Sequence, residues 1–433
     1  MLSVLSMKDI QFPDHVLFGA GGAGHQIEGD NIHSQFHEYE TTHPEWFPTP
    51  AGKACNGWEM YKEDIALFKE LGWQIYRMSI EWSRIEPEQG VYDQTAIRRY
   101  IDMLERLNNA GIKVSLTTHH WTHPLWFERL GGFRKRENIK YFLRHLDFIV
   151  PQIKDYVHSW SVMNEFTNHG SNPAEFELMK NLTVAHAMGY HTIKKYTDAP
   201  VSSTHSIIHW QPYRSFDEFD RCAAKILDWG TNGYFIHAME TGKMILPYTD
   251  EEYIPELKDS LDYWAINYYT RHMASARTKN LKTHRFEFDR LSLVNSPIYH
   301  EEFYPDAFVQ HLPRFKNKPV YICENGACAE DDRFRIAYLA QHLMALKEAM
   351  DMGVDLRAYI HWSAMDNYEW GSFEPQFGLV SVNWKTFERT PKPSAYFFRD
   401  VIRKHGIDHE LRKKWLEGLS DLKTYELPIK KGS

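Results

Sequence analysis

VYICENGACAEDDRFRIAYLAQHLMALKEAMDMGVDLRAYIH, residues 320–361, reads as a strand, a helix and a second strand. Val320–Cys323 and Leu356–His361 are short β-rich runs, while Arg335–Met350 sets Ile336, Leu339, Leu343, Leu346 and Met350 along one side of a helix. The same alternation extends backward through the chain. Six earlier β-rich runs stand at His15–Ala20, Gln74–Ser79, Lys113–Thr118, Val157–Met163, Val201–His205 and Tyr263–Asn267. Helical spacing recurs between them: Trp58–Leu71 carries Tyr61, Ile65, Phe68 and Leu71 before a stop at Gly72, and Thr95–Ala110 and Ile139–Lys154 follow suit. Eight strand–helix units predict an α/β fold, a single (β/α)8 TIM barrel, whose chemistry gathers at the C-terminal ends of the strands. No G-x-G-x-x-G or Walker loop follows an early strand, which counts against an open doubly wound sheet.

A length of 433 residues suits such a barrel as one unit, and no linker or low-complexity tract divides it, so residues 1–433 are expected to form one domain. With 50 basic against 58 acidic side chains there is no broad basic field, which excludes nucleic acid and an anionic membrane surface as partners. There is no run of 18 apolar residues, and the initial MLSVLSMKDI lacks a basic region and a cleavage pattern; a cytoplasmic setting is expected. Cys55, Cys222, Cys323 and Cys328 include only one close pair, C-x4-C, and read as reduced thiols. Aromatic residues reach 15%, a composition suited to the C–H-rich faces of sugars and equally to a large core.

The predicted strand ends carry consistent chemistry. The fourth ends in Asn164-Glu165 and the seventh in Glu324-Asn325-Gly326, so two carboxylates face one another across the barrel mouth. Glycosidic cleavage requires such a pair, one to protonate the leaving oxygen and one to act at the anomeric carbon. Gln26 and Glu28 stand after the first strand, Arg77 on the second and His120-Trp121 after the third. Asn267 and Tyr269 end the sixth, and Trp362, Asp366, Asn367, Glu369 and Trp370 follow the eighth. Amides, imidazole, carboxylates and indole N–H groups line a site fit for a pyranose, although a buried structural hydrogen-bond network would use the same residue types.

Taken in order, these segments resemble the β-glycosidases of glycoside hydrolase family one. LFG…HQIEGD, YRMSIEWSRIEP, LTTHHWTHPLW, WSVMNEF, INYYT, EFYPDAF, YICENG, HWSAMDNYEWGSFEPQFGL and RTPKPSAYFF are similar to successive family blocks over nearly the whole chain. The resemblance implies a retaining exo-β-glycosidase that hydrolyses β-linked glucosides, galactosides or fucosides without a cofactor. It places Glu165 as acid/base and Glu324 as nucleophile. Arg77, Asn267 and Tyr269 would position Glu324; Gln26 and Glu369 would hold outer hydroxyls, with His120 and Trp370 at the 3-hydroxyl and Asn164 at the 2-hydroxyl. Trp362 would floor the ring, and Trp121 and Phe377 would line its edge. Glu165, near a second negative charge, should keep its proton near neutral pH.

This chain departs from the family pattern at Phe18, His25, Phe166, Cys323 and Ala307, where Trp, Tyr, Pro, Thr and Gly are usual. Glu369 would repel a phosphate, which favours an unmodified sugar over a 6-phospho-β-glycoside. A catalytically weak sugar-binding barrel would not need Glu165, Glu324, Arg77 and Tyr269 together. His119, His120 and His123 raise a metal site; however, adjacent His119 and His120 point oppositely on a strand, and Pro124 argues against a helix that pairs His119 with His123, so no metal is expected. The aglycone is expected against the loops Thr167–Lys180 and Arg271–Tyr299, and homo-oligomerisation stays open.

Overall fold

The computed structural model describes residues 8–276, 283–284, 304–315, 317–329 and 331–417. Strands β1 (Leu17–Gly21), β2 (Ile75–Ser79), β3 (Lys113–Thr117), β4 (Ser159–Asn164), β5 (Val201–Ser206), β6 (Trp264–Asn267), β7 (Val320–Glu324) and β8 (Leu356–Trp362) close into one barrel in chain order. Every neighbouring pair is parallel. The crossovers contain α1 (Gly57–Glu70), α2 (Gln94–Asn109), α3 (Ile139–Ile153), α4 (Phe176–Lys194), α5 (Glu218–Asp228), α6 (Tyr234–Thr241), α7 (Asp306–His311) and α8 (Asp332–Asp351), and α9 (Pro393–Lys404) follows β8. This is the (β/α)8 barrel expected from the alternation.

Local chemistry sets the boundaries. The Asp93 carboxylate accepts from the amides of Thr95 and Ala96 at the start of α2, and Asp331 caps α8 through Arg333. Gly72, at φ 74°, takes the left-handed conformation that ends α1. The first strand starts two residues later than its β-rich run because Val16 N–H closes a turn onto the Pro13 carbonyl.

Helix faces such as Tyr100, Leu104 and Leu107 of α2, and Leu339, Leu343 and Leu346 of α8, are almost wholly buried in the main core. A separate cluster of Ile75, Tyr263, Ala265, Tyr321, Cys323, Ala358 and Ile360 comes from the strands themselves. Strand side chains alternate between faces, so Ile75 shares its face with Arg77, and Ala265 with Asn267. The apolar plug thus lies below the polar residues, which are lifted toward the C-terminal mouth. Parallel register is interrupted between Ser161 and Asn164 and between Ile266 and Asn267, next to the residues that carry the site. At the opposite end, Ile10–Gln11 pairs antiparallel with Gly406–Ile407, and Arg412 reaches Asp9 at 2.7 Å.

Candidate functional site

Glu324 is the last residue of β7 and is held from both sides. Arg77 Nη1, from β2, donates to Oε1, and Tyr269 Oη, just past β6, donates to Oε2 at 2.6 Å. Arg77 is 1% exposed, so its guanidinium depends on this partner and on the Asn164 side-chain oxygen 2.7 Å from Nη2. Burial and the neighbouring Glu324 push the Tyr269 phenol well above its ordinary range, which keeps it a proton donor. Next along the chain, Gly326 admits the close approach of β8: a Cβ there would lie 1.7 Å from the Trp362 carbonyl oxygen.

Glu165 follows β4 with φ 51°, a left-handed conformation that costs a non-glycine residue about 1–3 kcal/mol. Its amide donates to the Thr204 carbonyl at 2.9 Å, while Oε1 accepts from Asn267 Nδ2 at 2.8 Å and Oε2 from Asn168 Nδ2 at 3.2 Å. Burial first, then the charge on Glu324, raises its pKa from 4.5 to about 7, against the opposing hydrogen bond from Asn267. The sequence had pointed to the second charge, whereas loss of solvent is the larger cause. Asn267 also differs from expectation: it bonds Glu165, and Asn164 at 3.3 Å, rather than Glu324. Although β6 pairs Asn267 with Glu324 in register, its amide turns toward β4. Since that bond favours the charged carboxylate, Asn267→Ala is expected to shift the alkaline limb of the kcat/KM profile upward, a change that pH-rate measurement reads directly.

The two carboxylates border a cavity of about 310 Å³. Gln26, His120, Trp121, Asn164, Tyr269, Trp362, Glu369, Trp370 and Phe377 line it with them, while Arg77 and Asn267 act from beneath through their bonds. Gln26 Nε2 donates to Glu369 Oε2 at 3.2 Å and the Tyr368 carbonyl at 2.9 Å; its buried Oε1 has no partner among the described residues. Trp362 Nε1 donates to Glu369 Oε1 at 3.3 Å. Burial and Arg77 hold His120 well below the usual imidazole range, so its neutral Nε2 can accept from Asn164 Nδ2 at 3.2 Å. Its ring lies nearly parallel to those of Trp362 and Trp370, 12° and 11° apart in plane. Trp121 and Trp370 have φ of 68° and 45°, so two more left-handed residues stand in the same wall.

Other sequence candidates serve the surroundings. Glu28 bonds Arg84 and Tyr100, and Asp366 accepts from Lys392 at 2.8 Å and the Gly378 amide at 2.9 Å. His25 pairs with buried Glu40 at 2.9 Å and stacks on Trp370. His119 and His123 meet at 3.3 Å despite Pro124, because the chain bends at His120 and Trp121 without forming a helix; His123 continues to Glu128 at 3.0 Å. Sequence reasoning named the loops Thr167–Lys180 and Arg271–Tyr299 without singling out Asn168 or His272, which line the cavity, and it missed Trp210, which forms the outer wall with His272. That wall rests on a small sheet in which Arg271–Ala274 pairs with His209–Pro212 and Thr283–His284. Trp210 closely follows the fifth strand end, the signal that was available. The remainder of the Arg271–Tyr299 loop, at 277–282 and 285–299, lies outside the described residues.

Comparison with known proteins gives concordant matches. The family model for glycosyl hydrolase family 1 matches residues 8–407. The solved beta-glycosidase from Pyrococcus horikoshii superposes with a TM-score of 0.85 at 32% identity, covering 94% of this chain and 98% of that one. Beta-glucosidase A of Thermotoga maritima is 26% identical over 92% of this chain and 99% of its own length. A beta-galactosidase of Sulfolobus acidocaldarius is 28% identical over 82% and 85%.

Proposed function

The chain belongs to glycosyl hydrolase family 1, and from that premise we propose that it is a retaining exo-β-glycosidase for unphosphorylated β-glucosides and β-galactosides. The observation that carries the reading is the contrast between its carboxylates: Glu165 has a pKa of about 7, while Glu324 is held by Arg77 and Tyr269. In the first step Glu165 gives its proton to the glycosidic oxygen, the bond from that oxygen to C1 breaks, and a Glu324 oxygen bonds to C1. The aglycone leaves as an alcohol. In the second step Glu165, now ionised, takes a proton from water as the water oxygen bonds to C1 and Glu324 is released. Two inversions at C1 give net retention. NMR of the first-formed sugar tests this: a β-anomer at early times is expected, and an α-anomer overturns it.

Recognition of the sugar is assigned to Gln26, His120, Asn164, Trp362, Glu369 and Trp370, with Trp121 and Phe377 at the ring edge. Glu369 is 5% exposed and takes donors from Gln26 and Trp362, so an incoming hydroxyl meets a buried charged acceptor. Glu369→Ser is expected to lower kcat/KM on aryl glucosides by about 10²–10⁴-fold, since hydrogen bonds to a charged group are each worth about 1.5–3 kcal/mol. Strong preference of the wild type for a 6-phosphoglycoside over the plain glycoside would refute the assignment. Cys55, Cys222, Cys323 and Cys328 are all free thiols, which supports a cytoplasmic setting. Among the described residues no helix is long and apolar enough to cross a membrane.

A further inference from the structure

Trp370 stands in the wall of the sugar cavity, and its neighbours are rings: Trp121 at 4.7 Å, Phe36 at 4.8 Å and His25 at 5.8 Å between centroids. Among the described residues its indole N–H has no hydrogen-bond partner, so ring contacts set the plane of the indole. Of these three, His25 lies nearly parallel to it, 10° apart in plane against 38° for Trp121 and 52° for Phe36. That is the offset stack that aromatic pairs favour.

His25 is 2% exposed and is fixed at both ring nitrogens. Asn31 decides which of them carries the hydrogen. Its Oδ1 accepts from Ser83 Oγ at 2.7 Å and its Nδ2 donates to Glu81 Oε2 at 2.8 Å, which leaves Nδ2 facing His25 Nδ1 at 3.3 Å. Nδ1 is therefore an acceptor, and Nε2 donates to Glu40 Oε1 at 2.9 Å. Glu40 is buried on the helix Gln35–Thr42, and its Oε2 accepts from the Ala51 amide at 3.1 Å. The main chain is held separately. The His25 amide donates to Glu81 Oε1 at 3.0 Å, and Gln26 has its own bonds to the Tyr368 carbonyl and Glu369, so the place of Gln26 does not depend on the side chain before it. His25 stands where tyrosine is usual in the family, so this way of holding the wall departs from the family pattern.

We propose that His25 is a positioning residue for Trp370 and thereby determines how strictly the enzyme requires the 3-hydroxyl of the sugar. The inference rests on the β-glycosidase reading and on the assignment of Trp370 to that hydroxyl, and it adds a residue outside the cavity lining. A ring pinned at Nδ1 and Nε2 does not turn. The indole stacked on it keeps one plane, and with it one direction for its N–H.

The experiment measures kcat/KM for p-nitrophenyl β-glucoside and for its 3-deoxy and 2-deoxy analogues in wild type, His25→Gln and Asn31→Ala. Glutamine keeps a donor for Glu40 and removes the ring, whereas Asn31→Ala keeps the ring and releases Nδ1. In both variants the glucoside-to-3-deoxy ratio is expected to fall about three- to tenfold, the worth of a ring pair, while the glucoside-to-2-deoxy ratio holds because the 2-hydroxyl is assigned to Asn164. Should His25→Gln fail to fold, Asn31→Ala decides the question. A general loosening of the fold would lower all three substrates alike, so two ratios that fall together overturn the proposal, as does an unchanged 3-deoxy ratio in a folded variant. A wild type that hydrolyses the glucoside no faster than its 3-deoxy analogue overturns it too. A wild type that hydrolyses neither aryl β-glucosides nor β-galactosides refutes the glycosidase reading itself, a distinguishable failure.

Discussion

Glu324→Gln is expected to cut turnover of every β-glycoside by about 10⁴–10⁶-fold, the scale seen when an enzyme loses its nucleophile. The amide occupies nearly the same volume, so the cavity walls persist, but its oxygen cannot displace a leaving group and hold C1. The side effect is on Arg77. At 1% exposure its guanidinium keeps the Asn164 oxygen and loses its charged partner, and breaking such a buried pair costs up to about 3–5 kcal/mol. The variant should therefore remain folded with a lower Tm. Intact mass after exposure to a 2-deoxy-2-fluoro-β-glycoside separates catalysis from folding: wild type should gain one glycosyl unit and Glu324→Gln none. A folded variant within tenfold of the wild-type rate would remove Glu324 from the nucleophile's role.

The barrel was legible because its strands are short β-rich runs and all but the fifth end in chemistry rather than in a turn signal. All eight strands lie where those runs placed them, with ends moved by one or two residues through turns such as that at Pro13. The region between β5 and β6 was less readable. There α5 passes through a π-turn at Trp229–Gly233 into α6, which breaks the 3.6-residue period that sequence reading relies on. Residue types also told which side chains gather at the mouth, but not which partner each would choose. Asn267 has Glu324 beside it in register and bonds Glu165 across the barrel, a choice set by side-chain torsion. A cavity of about 450 Å³ behind Asn164 and Glu165 was invisible for a related reason: Phe36, Phe133, Phe166 and Leu182, which line it, come from four separate segments, and each alone reads as core.

Glu165→Gln is expected to act differently on the two halves of the reaction and to change stability in a pH-dependent way. With Glu165 as the proposed acid, wild-type kcat/KM is expected to need its protonated form and to fall as pH rises through about 7. The glutamine variant has no such group, so that limb should vanish. On alkyl β-glycosides, whose leaving oxygen needs the proton, the loss should be about 10²–10⁴-fold. On dinitrophenyl glycosides the first step should survive while release of the sugar slows, producing a burst followed by a slow steady state. Folding gives an independent check. Glu165 is buried with its pKa raised from 4.5 to about 7, so the folded state binds its proton more tightly than the unfolded chain does. That contribution is fully present below pH 4.5 and is lost as pH rises through about 7, a change on the order of 3 kcal/mol. Glutamine stays neutral throughout, so Glu165→Gln should gain in Tm relative to wild type between pH 4 and pH 8. A difference in Tm that does not vary with pH would mean that Glu165 titrates normally, and would leave the acid/base role without its physical basis whatever the kinetics showed.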